Sequence, residues 1–403
     1  MQFFRDWSVS ALSAGFVAVL VGFTSSVAIV FQAAQAFGAS PALMASWMWA
    51  LGLGMGLCTL LPSLYLKKPV MIAWSTPGAA VLASAGLAGG FGMADAVGAF
   101  MLCAALIVLA GVTGWFERLM DRIPVAIASA LLAGVLARFG LSAFTAAQTN
   151  LPLVLLMLLG YLCAKRLLPR YAVPLTLVLA IGFVAFSHGF LPTQIQYGLT
   201  TPVWTTPVFS LSAFVGLALP LFIVTMASQN LPGVAAIRAA GFGDARAHGG
   251  DAGIPISATL TLTGLCTLLL APFGAFALNL SAITAAICMG PEAHAQAQRR
   301  YTAAVSCGAL YVLVGLFGAT IIGVLTAFPK ELVAAIAGLA LMSSIAGGLR
   351  AALESDADRE AATLTFLVTL SGLTVAGVGS AFWGVVAGAL ALFIQQWRKP
   401  QTV

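Results

Sequence analysis

The sequence predicts an all-α polytopic membrane protein of fourteen transmembrane spans. They form two inverted repeats of seven, with spans three and ten broken by short extended segments. Three observations predict this. The 403 residues are 61% apolar and 7% charged, where soluble proteins carry about 25% charged residues. The basic residues fall at alternate ends of successive apolar stretches. A helix-start signature lies inside one of those stretches, at Pro69-Val-Met-Ile-Ala-Trp-Ser-Thr-Pro-Gly78, and has a counterpart about 203 residues downstream.

Apolar stretches of spanning length lie near 11–36, 42–64, 69–87, 94–115, 123–142, 151–168, 172–190, 209–230, 253–271, 272–289, 300–326, 329–348, 362–378 and 380–397. The first is too long for a cleavable signal and lacks a clear cleavage site, so it is read as span one. In span three, Pro69 and Pro77 bias the residues before them toward extended backbone. Ser75 and Thr76 suit an N-cap, and Pro77 suits the first helical position. A short extended piece over 69–75 is therefore expected to enter a half-helix at membrane depth. Broken backbone is tolerated there only inside protein or along a cavity.

Span ten repeats the pattern in Pro272-Phe-Gly-Ala-Phe-Ala-Leu-Asn279-Leu-Ser281, with Pro69 matched to Pro272 and Thr76 to Asn279. Gly56-Leu-Cys-Thr-Leu-Leu61 recurs as Gly264-Leu-Cys-Thr-Leu-Leu269, and Ser8-Val-Ser-Ala11 resembles Ser210-Leu-Ser-Ala213. Matches in one order at a nearly constant offset argue for an internal repeat. Pro272 nearly joins spans nine and ten. The runs Gly52-x-Gly54-x-Gly56 and Gly347-Gly348 permit close helix contact, as is ordinary in membranes.

Charge tests the span count. With the N-terminus cytoplasmic, the inside set is Arg5, Lys67, Lys68, Arg118, Arg122, Lys165, Arg166, Arg170, Arg238, Arg246, Arg299, Arg300, Arg350, Arg359, Arg398 and Lys399. Only Arg138 and Lys330 remain outside, out of 18 basic residues. Both termini are then expected in the cytoplasm. Seven spans per half is odd, so the halves (1–208 and 209–403) enter from opposite faces and are related by a pseudo-two-fold axis in the membrane plane. The net charge of +6 is explained by these loop ends and points to the bilayer rather than nucleic acid. The six cysteines all fall in spans with no CxxC pair, and read as buried free thiols rather than disulfides or metal ligands. No metal or cofactor is expected.

Ionisable residues inside spans normally mark function, and here they are nearly absent. Asp95, Glu117, Asp121, Asp244, Asp251, Glu292, Glu331 and the cluster Glu354–Glu360 sit at span ends or in loops. Arg138, near the outer end of span five, reads as a snorkelling anchor or as an anion-attracting vestibule charge. What remains is uncharged polar chemistry. Ser25 and Ser26 lie on span one, Ser75 and Thr76 on span three, Thr225, Gln229 and Asn230 on span eight, and Asn279 and Ser281 on span ten. Such groups often only join helices. As a set at repeat-related positions beside two half-helix starts, they favour a binding site. It suits a small monoanion whose charge is met by backbone N–H groups and helix dipoles without a fixed cation. Trp74, Phe276 and Leu280 are expected to cover an apolar body.

Gly22-Phe-Thr-Ser-Ser-Val-Ala-Ile-Val-Phe-Gln-Ala-Ala-Gln35, Pro69–Gly78, Thr225-Met-Ala-Ser-Gln-Asn-Leu-Pro-Gly233 and Pro272–Thr284 resemble the bacterial benzoate membrane transport proteins, described as benzoate–proton symporters. The resemblance runs over nearly the whole chain. It implies a multi-pass protein of the bacterial inner membrane that imports benzoate or a similar small aromatic carboxylate with a proton. It also implies the uracil-permease-like fold of seven-plus-seven inverted spans. In that fold a substrate-carrying core (here 1–120 with 209–327) moves against a gate (121–208 with 328–403). Permeases of that fold are often homodimers; no residue pattern here is diagnostic of an interface. Nucleobase permeases of the fold carry glutamates on spans eight and ten. The matching stretches, Thr225 to Asn230 and Asn279 to Thr284, carry none. A proton would then travel on the substrate as benzoic acid or through water. The alternatives are a permease for nucleobases or other small anions, a channel, or a membrane-embedded enzyme. The enzyme reading lacks an HExxH, a GxSxG and paired aspartates in the spans.

Overall fold

A computed structural model describes residues 5–24, 26–88, 90–120, 123–168, 171–187, 198–243, 253–318, 328–373, 375 and 380–397. Among them are the helices α1 (Val9–Thr24), α2 (Val27–Ala36) and α3 (Pro41–Leu66), strand β1 (Ile72–Trp74), and α4 (Thr76–Ala88), α5 (Met93–Thr113), α6 (Trp115–Met120), α7 (Val125–Thr145), α8 (Leu151–Leu167) and α9 (Ala172–Ser187). The second half holds α10 (Leu211–Ala239), α11 (Ile256–Leu270), strand β2 (Leu278–Leu280), α12 (Ile283–Met289), α13 (Tyr301–Leu316), α14 (Lys330–Ala352), α15 (Arg359–Ser371) and α16 (Ser380–Trp397). The chain is mostly helical. Five of the described helices, α3, α5, α7, α10 and α11 with its 3-10 extension to Phe273, are long and apolar enough to cross a membrane by length and composition. The α14 helix would make a sixth if its two parts, bent by 41°, count as one span.

Local chemistry sets the helix starts. Ser40 caps α3, its hydroxyl accepting the Leu43 N–H at 3.3 Å, with Pro41 at the first position. Asn150 caps α8 through Leu153, and Ser210 caps α10 through Ala213. The expected span over 11–36 forms two helices, α1 and α2, on either side of residue 25. The α10 helix contains two π-helical stretches, Phe214–Ala218 and Met226–Asn230. Such bulges recur at functional sites.

Elements far apart in sequence pack together. The α3 helix lies along α13, α5 along α11, α1 along α13, α7 along α14 and α15, and α15 along α16. Glycines set the closest approach. A Cβ on Gly52 would fall 2.7 Å from the Cα of Gly315, and one on Gly315 would fall 2.9 Å from the N of Leu53. The α3–α13 seam therefore brings backbone against backbone. Outward-facing Leu109, Val112, Leu159, Val178, Phe186 and Leu269 are exposed, as suits a lipid-facing surface.

The centre of the molecule is a two-stranded antiparallel sheet. Ile72 pairs with Leu280, Ala73 with Asn279 and Trp74 with Leu278. Each strand runs into a short helix, so α4 and α12 leave the pair at opposite ends. Each strand is also tied to the helix before it by a buried threonine. The Thr59 hydroxyl accepts the Ile72 N–H at 3.1 Å, and the Thr267 hydroxyl accepts the Leu278 N–H at 3.2 Å. Asn279, expected at a helix start like Thr76, lies instead at the middle of β2, while Thr76 opens α4; the serine just before α12, as Ser75 is just before α4, is Ser281.

Candidate functional site

Ser75 caps α4. Its hydroxyl accepts the Gly78 N–H at 3.1 Å, and its carbonyl accepts the Ala79 N–H at 2.8 Å. Ser281 does the same service for α12, accepting the Thr284 N–H at 3.3 Å and the Thr284 hydroxyl at 2.7 Å. Each capping serine is held in turn. The Thr225 hydroxyl of α10 donates to Ser75 at 2.9 Å, and the Ser281 N–H donates to the Met71 carbonyl at 3.0 Å.

Between these helix starts lies a cavity of about 470 Å³, within the usual range for a small-molecule site. It is lined by Gly22, Phe23, Ser26 and Ile29 of the α1–α2 region, by Trp74, Thr76 and Pro77, and by Ser228 and Gln229 from the π stretch of α10 with Ser281, Ile283 and Thr284. Met55, Tyr311, Arg138, Phe139, Ser142, Thr369, Gly372 and Ser380 also contribute to the lining. The rings cluster. Phe23 meets Trp74 edge-on at 4.7 Å between centroids, and lies 5.8 Å from Tyr311. The Trp74 indole N–H donates to the Ser26 hydroxyl at 2.9 Å, which donates to the Gly22 carbonyl at 2.9 Å. That chain fixes the indole plane at the cavity wall.

Of the residues expected from sequence, Ser26, Trp74, Thr76, Gln229 and Ser281 line this cavity. Ser75 and Thr225 stand one layer behind and hold the cap. Asn230 is fully buried, its amide oxygen accepting the Leu280 N–H at 2.9 Å and its amide nitrogen meeting the Met226 sulfur. Phe276 packs with Trp47 and Phe100 away from the cavity. Leu280 lies in β2, fully buried. Asn279 donates to the Leu280 carbonyl at 2.8 Å while its amide oxygen is buried without a hydrogen-bond partner among the described residues. Ser25 lies outside the described residues.

Sequence reasoning missed Phe23, Phe139, Tyr311, Thr369 and Ser380, which lack any local signature. Arg138 had one: it departs from the charge alternation. Its presence in the wall also departs from the expectation of a site without a fixed cation. A second cavity, of about 600 Å³, lies beside Leu132 of α7 and is lined by Arg300, Arg350 and Glu354 among others.

Hydroxyls, an amide, a cation and rings around a cavity can hold a solute, and the cavity sits beside two helix starts in a bundle of apolar helices. This is the make-up of a membrane transport protein rather than an enzyme. The sequence model of the benzoate membrane transport protein family matches residues 5–394, and the chain belongs to that family. It is 46% identical to the inner membrane protein YdcO of Escherichia coli (strain K12) over 383 residues, covering 95% of each chain. It is 38% identical to the benzoate membrane transport protein of Acinetobacter baylyi (strain ATCC 33305 / BD413 / ADP1) over 390 residues, covering 97% of this chain and 96% of that one. Among solved structures, SLC26A9 shares the fold at a TM-score of 0.52 and 12% identity, over 97% of this chain and 66% of that one.

Proposed function

We propose that the protein is a secondary transporter importing benzoate or a similar small aromatic carboxylate with a proton, by alternating access across a bacterial inner membrane. The observation that carries this is the cavity. Its aromatic lining of Phe23, Trp74, Phe139 and Tyr311 suits a flat apolar ring, and its hydroxyls, amide and cation suit a carboxylate. The name of the Acinetobacter relative supports the same substrate class.

The architecture proposed with it has fourteen spans in two inverted repeats and both termini cytoplasmic. Antiparallel pairing of β1 and β2, matched threonine ties and matched serine caps support the inversion. The packing partners support a core of 1–120 with 209–327 and a gate of 121–208 with 328–403. In that scheme α3, α5, α11 and α13 move together against α7, α14, α15 and α16. The second cavity, on the side of Arg300 and Arg350, would be the cytoplasmic vestibule by the positive-inside bias.

Binding of labelled benzoate to the purified protein in detergent tests the substrate class. Saturable binding displaced by unlabelled benzoate, and not by uracil, is expected. Displacement by uracil alone would overturn the reading in favour of a nucleobase permease.

A further inference from the structure

We infer that Arg138, on the gate-side helix α7, is the cation that receives the substrate's carboxylate and sets the preference for anionic over neutral aromatic solutes. The inference rests on the functional reading above.

The start of α4 has little left to offer an anion. Pro77 has no N–H, the Gly78 N–H is taken by the Ser75 hydroxyl, and the Ala79 N–H is taken by the Ser75 carbonyl. Of the first turn, the Thr76 N–H alone has no bond among the described residues. The α12 helix is only seven residues long, with its Thr284 N–H already capped. Helix starts by themselves therefore leave a carboxylate poorly matched.

Arg138 supplies what is missing. It is the fourteenth residue of α7, about 20 Å along the helix axis from Val125, and its side chain is exposed rather than packed away in the helix bundle. Among the described residues that line the cavity, it alone carries a formal charge. Its guanidinium has no hydrogen-bond or ion-pair partner among the described residues. It lies over Gly372, the left-handed residue (φ 72°) that ends α15; a Cβ there would come within 2.9 Å of the guanidinium carbon. The carbonyl end of α15 favours a cation at that spot, and the absent side chain leaves room for it. A guanidinium so placed presents its N–H donors as a planar fork, which matches a carboxylate. Trp74, Thr76 and Arg138 line the same cavity, so a solute whose carboxylate meets Arg138 can lay its ring among the aromatics.

The test is uptake of labelled benzoate by proteoliposomes holding wild type, Arg138→Gln or Arg138→Lys, with neutral benzamide as competitor. The expected result is a rise of at least tenfold in KM for Arg138→Gln at little-changed maximal rate. Arg138→Lys should be intermediate, and inhibition by benzamide should change less than twofold. A purely structural role would lower thermal stability and maximal rate together and would not distinguish benzoate from benzamide. Wild-type uptake with an unchanged KM in Arg138→Gln would overturn this inference and leave the functional reading standing. Should Arg138→Gln fail to fold, Arg138→Lys decides: an unchanged KM there, with equal discrimination against benzamide, sinks the fork-on-carboxylate claim. Wild type that takes up no benzoate would overturn the functional reading and this inference with it.

Discussion

Replacing Ser75 by alanine removes the cap of α4 and the acceptor of a buried hydroxyl in one step. Ser75 is fully buried and its hydroxyl accepts from both Gly78 and Thr225. Loss of a serine cap costs about 0.5–2 kcal/mol. A hydroxyl bond between membrane helices averages about 0.6 kcal/mol and reaches about 1.7 kcal/mol. Together they predict a loss of about 1–4 kcal/mol for Ser75→Ala, because Thr225 is left with a donor facing no acceptor. Thr225→Val alone removes only the second contribution and should cost about 1 kcal/mol. The double variant should then cost less than the two singles added, since removing both partners leaves no stranded group. Denaturation midpoints in detergent for the four proteins give the cycle. If Ser75→Ala is as stable as wild type, or if the two losses simply add, Ser75 is not the hub that joins α4 to α10.

Trp74→Phe keeps a ring against Phe23 and deletes the N–H that bonds Ser26. Loss of that buried bond should cost about 0.6–1.7 kcal/mol of stability and, by freeing the ring at the cavity, weaken benzoate binding; melts and equilibrium binding measure the two. Gly315→Ala forces α3 from α13 and should cost about 1–3 kcal/mol. Gly182→Ala, where a Cβ meets nothing within 4 Å, should be neutral or stabilising by up to about 1 kcal/mol; paired melts check both. Glu292→Gln removes the negative charge that pairs with Lys165 at 3.3 Å and can keep the acceptor for Ser343, yet acid-driven accumulation should persist, since no carboxylate lines the cavity beside Trp74 among the described residues. Loss of accumulation with exchange intact would make Glu292 the proton carrier.

The break in span three was legible because a serine, a threonine and a proline in an apolar run have few other uses. The register of the second break was not. Prolines 69 and 272 invite superposition, but Pro69 lies three residues before β1 and Pro272 six before β2, behind a 3-10 turn and the left-handed Gly274 and Ala277. In the structure Thr59 and Thr267 make similar bonds, to Ile72 and Leu278, and Ser75 and Ser281 each accept an N–H three residues on. Sequence could not show that the Asn230 and Asn279 amides turn into β2 rather than toward the cavity, because an amide in a span serves helix contacts and solutes equally well. Nor could it bring Phe139, Thr369 and Ser380 to the site, since these come from helices joined to it only by packing. Arg138 was visible as a misfit in the charge pattern. Its place in the lining of the same cavity as Trp74 and Thr76 required the fold.

The central claim is carriage of an aromatic carboxylate through this cavity under a proton gradient, and accumulation of labelled benzoate in proteoliposomes tests it most directly. With the outside acid relative to the lumen, wild type should concentrate benzoate above the protein-free control, saturably, and collapse of the gradient by a protonophore should abolish the excess. Uptake indistinguishable from protein-free vesicles at every gradient, by protein whose folded state is verified, would contradict the account.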